Sequence, residues 1–171
     1  SNTGPKRLNF LYQKLNERGI KINSLQMQFS LLTKPSLADE KIKNICNEHN
    51  IEYLAYSPLA LGVLTVPPHQ SPKPSTFLRQ KLFERILPKT QELRELLASI
   101  GKKYSVSQAQ VALNWVRSHG SKPIVGIRNP LQAKDAISAL SWSLTKNEKE
   151  KLDSYRNKCL TNMPQNPFNS P

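Results

Sequence analysis

Tyr53-Leu54-Ala55-Tyr56-Ser57-Pro58-Leu59-Ala60-Leu61-Gly62-Val63-Leu64 is the stretch that decides the fold. A short apolar run halts at Ser57-Pro58 and opens into small residues and a glycine. This predicts a buried strand, at about Ile51–Ser57, ending in a turn that lets backbone approach a ligand closely. The same order of strand, polar or glycine-bearing turn and helix recurs along the chain. Chains built of such units carry their chemistry at the strand ends.

Working outward, a helix is expected over Gly4–Arg18, with Pro5 in the first helical position and Leu8, Leu11, Tyr12 and Leu15 as one apolar stripe closed by Gly19. A strand follows at about Ser24–Leu32, where Leu25, Met27, Phe29 and Leu31 alternate with Gln26, Gln28 and Ser30. Ser36 and Asp39 resemble a capping box opening a helix that runs to about His49, with Ile42, Ile45 and Cys46 inside. Residues 66–76 hold four prolines and read as a long irregular loop. Helices are expected near Ser75–Ile86 and Lys89–Tyr104. Another is capped by Ser107 and Gln110, with Ala109, Ala112, Leu113 and Val116 inward. A short strand at Lys122–Ile127 leads through Asn129-Pro130 into a helix with Leu131, Ile137 and Leu140 inward. Thr145 and Glu148 cap the last helix, and the tail 160–171 reads as extended.

Strands alternating with helices imply an α/β fold with a parallel sheet and crossover helices. Three strands leave two open edges and one uncovered face, so residues 1–171 read as part of a larger α/β domain. At 171 residues the chain is long enough for a real core. No apolar run approaches the roughly 18 residues of a membrane span, and no targeting segment is visible. Two cysteines, Cys46 and Cys159, are too few for a disulfide framework and point to a reducing compartment. The net charge of +13 raises nucleic-acid binding. The Lys and Arg residues are scattered, however, and a few cations converging on an anionic cofactor plus a solvated basic surface explain the charge equally well.

Candidate site residues each carry two readings. Gln26 and Gln28 are either a solvated strand face or amides facing a ligand. Tyr56 is either a core aromatic or a stacking surface for a flat heterocycle. Ser57, Leu59, Ala60 and Gly62 offer backbone N–H groups and little bulk, which suits a phosphate. Gly126-Ile127-Arg128-Asn129-Pro130 places an arginine at a helix N-terminus with free N–H groups, and Gln132 lies in the first turn. This is either an anion site or an ordinary turn with a surface arginine. Cys46 and His49 lie three apart on a helix with no second pair, so no metal site is expected. His69 and His119 are expected at the surface.

The motifs together resemble the aldo/keto reductase family, specifically its C-terminal half. They are Ser1-Asn2-Thr3-Gly4-Pro5-Lys6-Arg7-Leu8, Leu25-Gln26-Met27-Gln28-Phe29-Ser30-Leu31-Leu32, Ala55–Leu64, Ser107–Trp115 and Pro123–Asn129. Pro5–Leu8 and Phe77–Pro88 look most like plastid-type plant and algal members, which makes the compartment cytoplasmic or plastid. The resemblance implies a (β/α)₈ TIM barrel with NADP(H) at its C-terminal mouth, the chain covering the sixth to eighth strands and Ser1-Asn2 closing the fifth. It implies that Ser1, Asn2 and Gln26 hold the nicotinamide carboxamide and that Tyr56 stacks on the nicotinamide. Ser57, Leu59 and Gly62 would line the pyrophosphate, with Arg79 clamping it from the long loop. Arg128 would pair with the 2′-phosphate, with Gly126, Ile127, Asn129 and Gln132 around it.

The chain departs from the family pattern in two places: Leu25 stands where Asn usually precedes the strand-six Gln, and Asp135-Ala136 where Glu-Asn often lies near the adenine. By the resemblance, the catalytic Asp, Tyr, Lys and His precede residue 1, so no residue here takes their roles. The implied activity is NADPH-dependent reduction of a small-molecule carbonyl substrate by the complete protein, this chain supplying the cofactor-binding half and being inactive alone. A non-catalytic NADP(H)-binding regulatory subunit and a basic nucleic-acid-binding protein are the other readings.

Overall fold

A computed structural model describes residues 1–158 and Met163. The elements are α1 (Pro5–Asn16), β1 (Ser24–Gln28), α2 (Leu37–Glu48), β2 (Glu52–Tyr56), α3 (Phe77–Ile86), α4 (Gln91–Tyr104), α5 (Gln108–Ser118), β3 (Lys122–Pro123), α6 (Pro130–Ser138) and α7 (Lys146–Lys158). Short 3₁₀ segments lie at Ala60–Thr65 and Pro88–Thr90. Cys159 and the rest of the expected extended tail lie outside the described residues.

The three strands form a parallel sheet in the sequential order β1-β2-β3, with Gln28 beside Tyr56 and Ala55 beside Pro123. Sequential order with helical crossovers is the winding of a barrel wall, whereas an open doubly wound sheet reverses order at a switch point. The two faces differ accordingly. Leu25, Met27, Tyr53 and Ala55 are buried, while Gln26, Gln28, Leu54 and Tyr56 on the opposite face are half-buried. Asn2 N–H donates to Gln26 O at 3.0 Å, which adds a backbone bond from the N-terminal segment to β1.

The core lies between the buried sheet face and the helices. α5 is its spine, buried without interruption from Gln110 to Val116. Trp115 is fully buried and stacks on Phe29 with ring centroids 5.1 Å apart. Burial of a large apolar side chain of this kind contributes about 1.5–3 kcal/mol. The capping signals hold. Ser36 Oγ accepts from Asp39 N–H at 3.1 Å, and Ser107 Oγ accepts from Gln110 N–H at 3.1 Å. At α7, Glu148 N–H donates to Thr145 Oγ1 and Thr145 N–H donates to Glu148 Oε2, a reciprocal box. Burial alone would raise the Glu148 carboxyl. The hydrogen bonds from Lys103, Thr145 and Tyr104 outweigh it and hold the group at about 2.

Four expectations are corrected. The strand from Ser24 stops at Gln28 rather than Leu32. Phe29 N–H still donates to Tyr56 O at 3.3 Å, but Thr33 Oγ1 accepts from Ser30 N–H at 2.9 Å and Thr33 N–H returns to Ser30 O at 3.0 Å, so a tight turn takes the chain out of the sheet after Phe29 and buries Leu31 and Leu32 there. The strand expected over Lys122–Ile127 pairs only at Lys122–Pro123, with one further bond from Ile124 N–H to Ala55 O at 2.8 Å. The helix opened by Pro130 buries nothing: Leu131, Ile137 and Leu140 are 78%, 66% and 64% exposed. Their spacing marks an apolar face, but that face points away from the described core. Finally, His119 is not at the surface. It packs on Trp115 and Phe29, with Nε2 2.9 Å from Asp153 Oδ1.

Candidate functional site

The C-terminal ends of β1 and β2 bring three of the expected residues together. Tyr56 Oη donates to Asn2 Oδ1 at 2.9 Å, and Asn2 is itself bonded to Gln26 O through its backbone. Gln26 and Tyr56 share the half-buried face of the sheet, because Gln26 pairs with Leu54 and Gln28 with Tyr56. A planar group laid against this face meets an aromatic ring with amide groups beside it. Ser1 is exposed, and its carbonyl accepts from Thr3 Oγ1 at 3.4 Å.

Immediately after Tyr56 the backbone turns sharply. Ser57, Ala60 and Leu61 have φ of +51°, +49° and +54°, and Gly62 has +94°. Such conformations cost about 1–3 kcal/mol each in non-glycine residues and cluster at ligand-holding turns. The turn opens onto a cleft of about 950 Å³, the upper end of the size range of ligand pockets. One wall is the turn itself, with Ser57, Leu59 and Gly62; the second is α3, with Arg79; the third is the segment after β3 and the start of α6, with Gly126, Ile127, Arg128 and Gln132.

Arg79 extends from α3 to the turn. A Cβ built on Gly62 would stand 2.5 Å from Arg79 Nη2, so glycine is what lets the guanidinium lie against the turn. Arg79 Nε is buried without a hydrogen-bond partner, and neither Arg79 nor Arg128 forms an ion pair among the described residues. A cleft with a glycine-lined turn and two arginines of unspent charge fits a phosphate-bearing ligand.

At α6 the expectation of several free N–H groups is corrected. Pro130 has none, Gln132 N–H is taken by Asn129 Oδ1 at 2.9 Å, and Ala133 N–H bonds Asn129 O. Gln132 Oε1 in turn accepts from Arg128 N–H at 2.8 Å. Asn129 and Gln132 therefore brace the turn that presents Arg128, and Asn129 is not among the residues lining the cleft. The cation at this end of the cleft is the Arg128 side chain.

Residues 1–157 match the aldo/keto reductase family. The chain belongs to this family. It is 39% identical over 170 residues to the chloroplastic pyridoxal reductase of Arabidopsis thaliana, a match covering 98% of this chain and 46% of that protein. It is 28% identical over 147 residues to the NADPH-dependent alpha-keto amide reductase of Saccharomyces cerevisiae, covering 84% of the chain and 41% of the relative. Among solved structures, the apo form of Gox0644 superposes with a TM-score of 0.61 at 16% identity, over 90% of this chain and 44% of that one. The thermostable aldo-keto reductase Tm1743, solved with the inhibitor epalrestat, gives 0.60 at 16% identity, over 84% and 43%. The chain thus spans less than half the length of these relatives. Its three-stranded parallel sheet is a section of the barrel wall, in a family that uses NAD(P)H.

Some of the cleft was not legible in the sequence. Leu78 and Leu82 also line it, beside Asp135 and Ala136, the pair that the resemblance had set near the adenine. Asp135 reaches back to α5, accepting from Ser107 Oγ at 2.8 Å and from Gln110 Nε2 at 2.7 Å. Ser107 and Gln110 read in sequence as a helix cap alone, because their partner lies 28 and 25 residues away. No cluster of metal-ligating side chains occurs among the described residues, and burial pushes the Cys46 thiol up to about 11. Nor is any helix among them long and apolar enough to cross a membrane.

Proposed function

We propose that this chain is the cofactor-holding part of an NADPH-dependent oxidoreductase that reduces aldehydes or ketones to alcohols. The observation that carries the reading is the cleft itself. Ser57, Leu59, Gly62, Arg79, Gly126, Ile127, Arg128 and Gln132, chosen on sequence alone, line one continuous cavity. Tyr56 directly precedes Ser57 of this lining and is bonded to Asn2, which is bonded to Gln26 O.

In this reading Tyr56 offers its ring to the nicotinamide, and Asn2, Gln26 and Ser1 meet the carboxamide. The 57–62 turn and Arg79 take the diphosphate, whose charge the guanidinium neutralises. Arg128 pairs with the 2′-phosphate, the group that distinguishes NADP(H) from NAD(H), while Gly126 and Ile127 leave room beside it and Asn129 and Gln132 hold its backbone. Bound NADPH supplies the hydride that goes to the carbonyl carbon. This chain's residues bind and orient the dinucleotide; the proton donor belongs to the complete protein. The domain then runs across residues 1–171, with 66–76 as a proline-rich loop.

The Arabidopsis relative, named for pyridoxal and for the chloroplast, makes pyridoxal the first substrate to test and the plastid the first compartment. The experiment is consumption of NADPH by the complete protein in the presence of pyridoxal and a panel of simple aldehydes. Carbonyl-dependent oxidation of NADPH, faster than of NADH, is expected. A folded complete protein that binds NADPH and oxidises it with no carbonyl compound would leave cofactor binding without reductase activity.

A further inference from the structure

Helix α6 follows directly on Arg128, yet buries none of its own residues, and its apolar side chains point outward. What ties it to the body of the chain is polar. Near its middle, Asp135 accepts from Gln110 Nε2 with one oxygen and from Ser107 Oγ with the other. At its C-terminal end, Asn114 Nδ2 and Arg117 Nη1 donate to Ala139 O. All four donors stand on or cap α5, the most continuously buried helix. Gln110 is fixed in addition by Trp142, whose Nε1 donates to Gln110 Oε1 at 3.2 Å.

A carboxylate lining an anion-binding cleft would ordinarily oppose its ligand. Here each Asp135 oxygen is engaged by a neutral donor of α5, so the charge is turned toward the scaffold and serves as a strut. The strut connects onward: Asp135 fixes α6, Gln132 in the first turn of α6 holds Arg128 N–H, and Arg128 faces the cleft. We infer that Asp135 is a positioning residue that sets α6 over the cleft and thereby selects NADPH over NADH through the reach of Arg128. This rests on the reading of the cleft as an NADP(H) site.

The test is the dissociation constants of NADPH and NADH, followed by quenching of tryptophan fluorescence in the complete protein. Asp135→Ala removes the strut and is expected to weaken NADPH about three- to tenfold while changing NADH less than about twofold, because displacement of a positioned charge costs only the ligand that uses it. Asp135→Asn keeps an acceptor oxygen for Gln110 Nε2, while its amide NH2 can donate to Ser107 Oγ with that hydroxyl turned round, and is expected to stay within about twofold of wild type for both. Should Asp135→Ala fail to fold, Gln110→Ala removes one strand of the strut and is expected to lower the NADPH preference about two- to threefold. A folded Asp135→Ala or Gln110→Ala protein with the wild-type preference overturns the assignment and leaves the cleft reading standing. Tighter NADPH binding by both Asp135 variants also overturns it, since that is the signature of a bare repulsive charge. A wild-type protein without preference for NADPH overturns the cleft reading and the assignment together.

Discussion

Gly62→Ala separates backbone strain from loss of ligand space. Gly62 has φ of +94°, where an alanine costs about 1–2 kcal/mol. The added Cβ would also stand 2.5 Å from Arg79 Nη2, against an ordinary contact of 3.4 Å or more. The guanidinium must therefore retreat by the difference, 3.4 − 2.5 = 0.9 Å. Arg79 is long and held mainly by packing over the Phe83 ring, 5.4 Å away, so this retreat costs little stability. The melting temperature of the complete protein is expected to fall by about 1–3 °C, because a protein about twice this chain's length has an unfolding entropy, at about 2.1 cal/mol/K per residue, that turns each kcal/mol into only about 1–1.5 °C. The larger effect falls on the ligand. A methyl group in the turn and a displaced guanidinium are expected to weaken NADPH binding about tenfold, or about 1.4 kcal/mol. Gly120→Ala is the control: Gly120 also has positive φ, +70°, but its Cβ would meet nothing within 4 Å. Both variants should lose stability and only Gly62→Ala should lose cofactor. Wild-type NADPH affinity in folded Gly62→Ala, or an equal loss in Gly120→Ala, would refute the placement of the diphosphate at this turn.

Tyr56→Phe removes only the hydroxyl bonded to Asn2 and is expected to cost about 1 kcal/mol of stability with NADPH affinity nearly unchanged, whereas Tyr56→Ala removes the ring and should weaken binding at least about fivefold. Equal affinities of the Phe and Ala variants would remove Tyr56 from the site. His119 supplies a pH dependence. Burial, then the nearby Lys149 and Lys43, hold its folded-state value at about 4 against an ordinary 6.5, with Asp153 partly opposing them. The unfolded chain binds the extra proton in this window, so stability is full above 6.5 and falls as pH drops toward 4, by up to about 3 kcal/mol. Urea unfolding across that range should show the loss in wild type and a flatter profile in His119→Gln; identical slopes would contradict the burial argument.

The legible parts of the fold were those written in short-range chemistry. Ser36, Ser107 and Thr145 announce helices because an N-cap needs only a hydroxyl three residues from an N–H. Ala55–Gly62 announces a strand and a ligand turn because apolar run, Pro58 and Gly62 are adjacent. The end of β1 was hidden, since Phe29 and Leu31 keep the alternation of a strand while the Ser30–Thr33 turn takes the backbone elsewhere after Phe29. The outward face of α6 was hidden for a different reason: periodicity shows that an apolar face exists, not what it meets. The hold of α5 on Asp135 and the packing of His119 were hidden because the partners are distant in sequence, which no spacing rule reveals.

The most direct test of the account is calorimetric titration of NADPH and NADH into the complete protein, with Arg128→Met beside wild type. Arg128 is exposed, so its charge-assisted bonds to a 2′-phosphate are worth about 1–2 kcal/mol after screening, a preference of about 5- to 30-fold for NADPH. The account predicts that wild type shows this preference and that Arg128→Met loses it without weakening NADH. Equal affinities for the two cofactors in wild type, or an undiminished preference in Arg128→Met, would contradict it.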